Sequence, residues 1–566
     1  TSEQRRRNLQ LVAVGIGSSA GLDVYGSSQA SIQILLDSPE SYRVLTGSKV
    51  VHTVIGEEIS NYDIGGAPIL GKWAGIVDLV ANDKLHLLAA IRMVHRLFAE
   101  DQSLPVIARV PIADERVNES IVLNESMIRA NVDDGLFWPF RECYYGAEGL
   151  VSGFARIGGR RVLVMGPRTH GGIRTNAALI KARELLRVAR RTASHRILVF
   201  GRRWWQTPAM SEEYQMRPHL DLLDELQRKD IFTIIILTHS EGIKCAEIIQ
   251  AADAVIYVRG RSNRKEAHCA ETNAAFTVNS MAEAFDCACR LIQLIDPTHT
   301  PSTFAEPDDA PSVPPDPAVP YDMIDAVIHP TFDAGSFLEW YREMNNPVTG
   351  PNLITGLATL EGRTVGVIAD QPLVKGGGAD AFGTEKFRVF VSFLNRAGIP
   401  LVMLSNSSGF VPGSQQERLR IQAIGAESLD VNILGTMPVV SVVLNQNYGG
   451  RLIHAFNKFL RPGIVFLALE QAVMAVIGVD AAFDLLYGKK YHRLIERGQS
   501  DQAQALRAQF VREYLEKARA SKDGIASKLV DWIIPTPEVL RSHIIRGMEL
   551  ACRRCEEAFG RISRQD

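Results

Sequence analysis

The feature that most constrains the fold is a pair of strand–loop–helix units that follow each other between Ile399 and Phe456. The apolar runs Pro400–Leu404 and Pro438–Leu444 have the length and composition of buried strands. Each run is followed by a loop of small and polar residues and then by a helical pattern. Because the first N–H groups of a helix have no intrahelical acceptor, each loop can present them to an anion or an oxyanion.

A third unit of the same kind lies just upstream. It begins with the strand Thr364–Ala369 and continues through the loop Asp370–Asp380, which contains Gly376, Gly377 and Gly378. The apolar residues of the helix that follows recur every three to four positions, as they do on one face of an amphipathic helix. Three successive units of this kind predict a spiral of strands and helices in an α/β protein.

The loops of this region resemble those of a known family. The run that starts with Gly409 and Phe410 is followed by Gln416-Glu417, by Ile424-Gly425-Ala426 and by Tyr448-Gly449-Gly450. In that order and at that spacing they resemble the crotonase fold, and within it the carboxyltransferase (β) subunit of biotin-dependent acyl-CoA carboxylases. The resemblance implies an α/β protein of tandem crotonase-like ββα spiral units.

The chain also contains an internal repeat. Residues 151–160 echo residues 354–363, at an offset of about 200 residues, the size of one such unit. The first hundred residues resemble only the second half of the family's N-terminal domain, so we expect that the other half has been cut off or lies on a separate polypeptide. We predict a partial N-terminal crotonase-like carboxyltransferase unit at 1–104, a degenerate middle crotonase-like unit at 105–300, a proline-rich linker at 301–320 and a C-terminal crotonase-like carboxyltransferase unit at 321–566.

Composition argues against several classes of protein. The formal net charge is -2, from 62 basic and 64 acidic residues, which gives no sign of binding to nucleic acid or to a membrane surface. No apolar run reaches the roughly 18–20 residues that span a bilayer, and no signal-peptide core is present, so we expect a soluble, cytoplasmic protein. Seven cysteines, an odd number, argue against a secreted disulfide framework, and their spacing supplies no closed zinc site. No metal is expected.

The resemblance implies a chemistry that needs no side-chain base. In the family, carboxybiotin releases CO2, one pair of backbone amides holds the ureido oxyanion, and another pair holds the enolate of the acyl thioester. A biotin nitrogen can take the α-proton. Catalysis then depends on preorganised N–H groups, each worth about 3 kcal/mol at a developing oxyanion.

Two turns match the family's oxyanion holes. The C-terminal hole corresponds to Gly449, Gly450 and Arg451, with the N–H groups of Gly450 and Arg451 as donors, unless the glycines serve only close packing of helix and strand. The N-terminal hole corresponds to Gly21 and Leu22, although the family prefers a second glycine where this chain has Leu22. A backbone donor survives that change, but the larger side chain narrows the pocket.

The resemblance also implies residues that contact the cofactor or the acyl group. These are Gly376, Gly377 and Gly378, which either help to shape the biotin or acyl pocket or are structural only, together with Gly409 and Phe410 of the preceding motif.

Arg451 departs from the family, which has a small residue at this position. A guanidinium at a helix start is poorly placed for the helix dipole, which favours a functional reason. Either the side chain grips a carboxylate or a bicarbonate-derived group, or it turns to solvent or pairs with a nearby acid. The sequence leaves both interpretations open.

The sequence therefore predicts a carboxyltransferase subunit that moves CO2 from carboxybiotin to the α-carbon of a coenzyme A thioester. The chain has no Met-Lys-Met biotin-attachment motif and no ATP-grasp loop, so the carboxybiotin must come from a biotin carboxyl carrier or biotin carboxylase subunit. The resemblance implies a homo- or hetero-oligomer. The alternatives are a biotin-independent acyl-thioester decarboxylase, an acyl-transfer or condensation enzyme of a biosynthetic pathway, and a non-catalytic scaffold subunit of a carboxylase complex.

Overall fold

In the computed structural model the chain forms two compact units, Thr1–Gln293 and Leu294–Asp566. The predicted boundary at 104/105 and the predicted linker at 301–320 lie outside the residues that the structure describes, so that division stays a prediction. The described residues are 12–21, 23–24, 27, 30, 32–98, 123–168, 175–192, 195–200, 213–228, 231–237, 249, 251–259, 274–295, 350–360, 363–521 and 528–559.

The first part of the first unit contains two small parallel sheets. The strands β1, β3 and β5 pair in that order, and β2 pairs with β4. The elements are β1 (Val12–Gly15), β2 (Ser18–Ala20), β3 (Ile32–Leu36), β4 (Tyr42–Val44), α1 (Ser48–Ile55), α2 (Asn61–Gly65), a π-helical segment (Pro68–Trp73), β5 (Leu79–Ala81) and α3 (Lys84–Phe98).

The second part of this unit contains one larger sheet. Its strand order is β12-β11-β10-β9-β8-β7-β6, with an antiparallel β7–β8 hairpin followed by parallel pairs. One hydrophobic core joins both parts, because Ile34 and Val94 belong to the same cluster of buried side chains as Leu163 and Leu185. The elements are α4 (Glu125–Ala130), a 3₁₀ turn (Asp133–Gly135), β6 (Phe137–Pro139), β7 (Leu150–Ile157), β8 (Arg160–Pro167), α5 (Asn176–Thr192), β9 (His195–Phe200), α6 (Glu213–Gln227), β10 (Phe232–Leu237), β11 (Ala254–Val258), β12 (Phe276–Val278) and α7 (Met281–Ile295).

The second unit repeats this arrangement. Its main sheet has the order β13-β14-β15-β16-β17-β19, and β18 pairs with the far end of β16. The elements are β13 (Leu353–Leu360), β14 (Arg363–Asp370), a 3₁₀ turn (Lys375–Gly377), α8 (Ala381–Ala397), β15 (Leu401–Ser407), α9 (Ser414–Arg418), α10 (Ile421–Leu434), β16 (Val439–Tyr448), α11 (Arg451–His454), β17 (Ile464–Leu469), β18 (Val473–Ala475), α12 (Val479–Glu496), α13 (Ser500–Ala518), β19 (Trp532–Ile534), a 3₁₀ turn (Pro537–Val539) and α14 (Leu540–Phe559).

Two buried lysines mark the same position in the two large sheets. Lys181, 1% exposed, donates to the carbonyl of Leu150 at 3.1 Å, where the β7–β8 hairpin opens. Lys386, 8% exposed, donates to the carbonyl of Leu353 at 2.7 Å, where the β13–β14 hairpin opens. A buried ammonium group needs such a partner, because its desolvation is costly. The two contacts are equivalent, and in both sheets an antiparallel hairpin is followed by parallel strands in sequence order.

The parallel strands of the second unit place the candidate site. Their residues are buried on both faces, as expected for a sheet covered by helices. Parallel strands have their carboxyl ends at one edge, which is where α/β proteins generally bind ligands. Asp370 ends β14, Ser407 ends β15 and Tyr448 ends β16, so the loops that follow these strands lie side by side.

Candidate active site

The turn after β16 leaves two consecutive backbone amides available. Gly449 has a φ of +60°, a conformation that side chains disfavour, and its N–H donates to the carbonyl of Ala475 at 3.0 Å. The N–H of Leu452 donates back to the carbonyl of Gly449 at 3.1 Å. Among the described residues, the N–H groups of Gly450 and Arg451 have no hydrogen-bond acceptor. The turn therefore offers both predicted donors.

The predicted residues Gly409 and Phe410 lie beside this turn. A Cβ atom built on Gly450 would lie 3.3 Å from the ring of Phe410, and one built on Gly409 would lie 3.3 Å from the carbonyl oxygen of Tyr448. Gly409 has a φ of +105°, which also favours glycine. The structure thus brings the motif after β15 together with the turn after β16.

The glycines at 376–378 pack closely against the segment that ends β15. Gly377 has a φ of +68°, and a Cβ atom there would lie 2.2 Å from the carbonyl oxygen of Asn406. A Cβ atom at Gly376 would lie 3.3 Å from the hydroxyl of Ser408. Gly378 accepts a hydrogen bond from the Asn352 side chain at 2.6 Å through its carbonyl. Close backbone packing accounts for Gly377, and a role of the three glycines in ligand binding stays a prediction.

The side chain of Arg451 is buried and paired. It is 2% exposed, and its Nη2 donates to Oδ1 of Asp370 at 2.7 Å. Its Cζ atom lies 5.1 Å from the centre of the Phe387 ring, within the range of a cation–π contact. Of the two interpretations that the sequence left open, the structure shows pairing with a nearby acid. The guanidinium is not free to grip a substrate carboxylate.

Asp370 is the centre of a buried polar network beneath the turn. Its Oδ2 accepts hydrogen bonds from the hydroxyl of Ser405 at 2.9 Å and from the N–H of Asn406 at 3.1 Å. Asn447 donates to the oxygen of Ser405 at 2.8 Å. Within the described ranges, Nε of Arg451 and Oδ1 of Asn447 are buried without a hydrogen-bond partner. Sequence reasoning missed Asp370 and Ser405, although both stand at the carboxyl ends of predicted strands.

His454 holds the turn from its other side. Its ring nitrogens lie 3.0 Å from the carbonyl oxygen of Gly450 and 2.9 Å from that of Gly425. Burial lowers the pKa of His454, and the two carbonyl contacts offset only part of that effect. Burial therefore disfavours the charged form of the imidazole, although both of its ring nitrogens face carbonyl acceptors. Sequence reasoning did not single out this residue.

The N-terminal turn repeats the backbone pattern of the C-terminal one. Gly21 has a φ of +64°, its N–H donates to the carbonyl of Val44 at 3.0 Å, and its carbonyl accepts from the N–H of Val24 at 3.2 Å. Gly21 therefore corresponds to Gly449, whose N–H is engaged in the same way. The N–H of Gly21 is thus already bound, as that of Gly449 is, and a role of this turn as the N-terminal oxyanion hole stays a prediction. Leu22, which corresponds to Gly450, lies outside the described residues.

The other described residues give no further site of this kind. In the part of the chain that the structure describes, no group of three or more His, Cys, Asp and Glu side chains is arranged to hold a metal ion. No described helix is both long enough and apolar enough to cross a bilayer. The loops at 201–212 and 238–248, where the middle unit would carry its own site, are outside the described residues.

Known proteins with similar sequences are named as chains of acyl-CoA carboxylases or carboxyltransferases. A propionyl-CoA carboxylase beta chain of Saccharopolyspora erythraea is 34% identical over 238 residues, which is 42% of this chain and 42% of the relative. One of Roseobacter denitrificans is 38% identical over 175 residues, 31% of this chain and 33% of the relative. The methylmalonyl-CoA carboxyltransferase 12S subunit of Propionibacterium freudenreichii is 33% identical over 230 residues, 41% of each chain. The chain thus spans less than half the length of these relatives.

Solved structures agree on the fold. A transcarboxylase 12S, solved as a hexamer with methylmalonyl-coenzyme A and methylmalonic acid bound, matches with a TM-score of 0.62 at 20% identity, over 84% of this chain and 96% of that one. A single-chain, multi-domain long-chain acyl-CoA carboxylase matches with a TM-score of 0.56 at 17% identity, over 82% of this chain and 50% of that one. The predicted α/β crotonase-like fold is confirmed. The family model described as the carboxyl transferase domain matches residues 2–196 and 267–562, and the chain belongs to that family.

Proposed function

We propose that this protein is the carboxyltransferase subunit of an acyl-CoA carboxylase, which moves CO2 from carboxybiotin on a partner to the α-carbon of an acyl-CoA thioester. The observation that carries the proposal is the pair of consecutive amides at Gly450 and Arg451, which have no acceptor among the described residues. They stand at the turn that matches the family's oxyanion loop. Family membership and the crotonase-like fold support the same function.

The turn is suited to an oxygen that gains negative charge. Among the described residues the two amides have no acceptor, and a Cβ atom at Gly450 would meet only the Phe410 ring, so a ligand oxygen can approach the backbone there. Phe410 offers an apolar wall on one side of the turn. When delivered by a biotin carboxyl carrier or biotin carboxylase subunit, carboxybiotin would supply the CO2 and a proton acceptor.

The contribution of the chain is electrostatic. As the acyl thioester loses its α-proton, or as the carboxyl group leaves its donor, negative charge collects on one oxygen. The N–H groups of Gly450 and Arg451 donate hydrogen bonds to that oxygen. Each such donor is worth about 3 kcal/mol when it is already aimed at the position of the charge, because no reorganisation is needed during the reaction.

A biotin-independent reaction has less support than it had from the sequence alone. One argument for it was an Arg451 side chain that could bind a carboxylate, and that side chain is bound to Asp370. The proposal therefore keeps carboxybiotin as the CO2 donor, a biotin-bearing subunit as the partner and an oligomeric assembly, as the family resemblance implies.

The test is a transfer assay with the purified protein. A biotin carboxyl carrier loaded with labelled CO2 is mixed with the protein and a panel of acyl-CoAs, and label in the acyl-CoA product is counted. We expect transfer that needs the carrier and that falls strongly in Gly450→Pro, while Gly450→Ala, which keeps the N–H, stays active. Carrier-independent decarboxylation of carboxylated acyl-CoAs without any transfer would favour the decarboxylase. A folded protein with neither activity would favour the scaffold.

A further inference from the structure

We infer that the buried Asp370–Arg451 pair is a positioning device that aims the N–H of Arg451 at the oxyanion. This inference rests on the proposed function and adds residues to it, because Asp370 touches no ligand in this account and acts only through Arg451. The feature that suggests it is a charged pair placed directly beneath a turn whose amides are expected to do the chemistry.

The pair contributes little to stability by itself. The two side chains are 3% and 1% exposed, and Nη2 of Arg451 lies 2.7 Å from Oδ1 of Asp370. Removing two charges from water costs about as much as their attraction returns, so a buried pair is often no more stabilising than apolar side chains of the same volume. The effect of the pair is therefore expected in the position of the strand ends and of the backbone that it holds.

Asp370 fixes the ends of three neighbouring strands relative to each other. It is the last residue of β14, and its Oδ2 accepts from Ser405 and from the backbone of Asn406, both in β15. Ser405 is in turn held by Asn447 in β16. Since Oδ2 is committed to this network, the carboxylate cannot rotate freely, and its Oδ1 is a fixed acceptor for Arg451.

Arg451 is then held at both ends. Arg451 is the first residue of α11, directly after the turn. Its guanidinium is fixed by Asp370 and by the ring of Phe387 in α8. The peptide plane between Gly450 and Arg451 carries the N–H of Arg451. The plane also carries the carbonyl of Gly450, which accepts from the N–H of Ile453 at 3.1 Å. This bond holds the tilt of the plane, and the ion pair holds the Cα atom of Arg451 at its edge, so together they restrain the direction of the amide.

The test compares two single variants with the double variant. Asp370→Asn and Arg451→Met each leave one buried charge without its partner, so each should lower both the melting temperature and kcat. In Asp370→Asn/Arg451→Met no unpaired charge remains, and the melting temperature should return to near that of the wild type. We expect its kcat for carboxyl transfer to stay roughly 10- to 100-fold below wild type, because a small misplacement of a catalytic group lowers the rate by about that factor. KM for the acyl-CoA should change less than about threefold.

A second measurement keeps this inference separate from the proposed function. Hydrogen–deuterium exchange of the peptide that covers residues 448–454 should be faster in the double variant, while exchange in β17 stays unchanged. If the wild type shows no carboxyl transfer, the proposed function fails and this exchange experiment still decides the role of the pair. A double variant that regains both wild-type kcat and wild-type exchange would show that the pair is merely structural and would overturn the inference.

As a matched control, Ser405→Ala removes one hydrogen bond to Asp370 but keeps the ion pair, and its kcat should fall by less than about fivefold.

Discussion

The turns at Gly21 and Gly449 share one backbone pattern but differ in the side chains around them. In both, a glycine with positive φ donates to the carbonyl at the end of a three-residue strand, Val44 in one and Ala475 in the other. In both, the N–H three residues later donates back to that glycine. The strand that leads into the second turn is part of a large sheet, whereas the one before Gly21 belongs to a two-stranded sheet.

The residue two positions after the positive-φ glycine shows the difference most clearly. Arg451 is 2% exposed and bound to Asp370, while the equivalent Asp23 is exposed. An acidic side chain beside an oxyanion is unfavourable, whereas a guanidinium that is already neutralised by a carboxylate is tolerated. The comparison teaches that backbone hydrogen bonds alone reproduce the shape of the turn, while the side chains around it differ in charge and burial.

Substitutions of Arg451 and Asp23 test the difference between the two turns most directly. Arg451→Met should lower the free energy of unfolding by about 3–5 kcal/mol, because it leaves the carboxylate of Asp370 buried without its partner. Asp23→Asn should change it by less than about 0.5 kcal/mol, as is usual for an exposed side chain. Chemical denaturation of both variants measures the difference. Equal effects would show that the C-terminal turn receives no special support from its ion pair.

The largest expected effect on activity is at Gly450. Gly450→Pro removes the N–H, and the φ of -61° at Gly450 already suits proline. We expect kcat for carboxyl transfer to fall about 10²- to 10³-fold. Gly450→Ala is the matched control, since it adds the same Cβ atom near Phe410 but keeps the donor, and it should stay within about tenfold of wild type. Similar kcat values for the two variants would remove the amide from the mechanism.

The shared backbone pattern predicts matched effects at its two glycines. Gly21→Ala and Gly449→Ala should each lower the free energy of unfolding by about 1–2 kcal/mol, because both positions need a left-handed conformation. Gly449→Ala should cost more, since its Cβ atom would lie 3.2 Å from the carbonyl of Val476, whereas the space at Gly21 is open. Gly17→Ala, at an open position without a positive φ, is the control and should change little. A neutral Gly21→Ala would contradict the equivalence of the turns.

The smallest expected effect concerns pH. Burial lowers the pKa of His454 below its ordinary 6.5, so below pH 6.5 the unfolded chain takes up a proton that the folded protein does not. The contribution to stability is complete above about pH 6.5 and is lost as the pH falls through the lowered pKa, with a slope of at most about 1.4 kcal/mol per pH unit. His454→Gln should flatten this slope in denaturation curves measured at several pH values. A variant with the same slope as wild type would assign the effect to other groups.

The fold was predictable because its signals are local and repeated. The apolar runs at Pro400–Leu404 and Pro438–Leu444 mark real strands, and the repeat at 151–160 and 354–363 marks equivalent hairpins. The strand boundaries were less accurate. Val439–Tyr448 runs past Leu444 because its polar end pairs with β18, a long-range contact that alternation of apolar residues does not reveal.

The site was predictable only where the backbone carries it. The glycine pattern identified Gly449 and Gly450 and the neighbouring Phe410, because a positive φ or a close approach requires glycine. Asp370 lies 81 residues from Arg451 in the sequence, so their pairing depends on the order of the strands in the sheet. The match of Gly21 to Gly449, which the resemblance implied, agrees with the hydrogen bond from Gly21 to Val44, while the role of Leu22 stays a prediction.

The most direct test is a crystal structure of the protein with a bound acyl-CoA analogue that has a negatively charged oxygen at the position of the thioester carbonyl oxygen. The distances that matter join this oxygen to the backbone nitrogens of Gly450 and Arg451. We expect both to be about 2.7–3.1 Å. An analogue bound elsewhere, or a turn whose two N–H groups donate to protein carbonyls, would contradict the account.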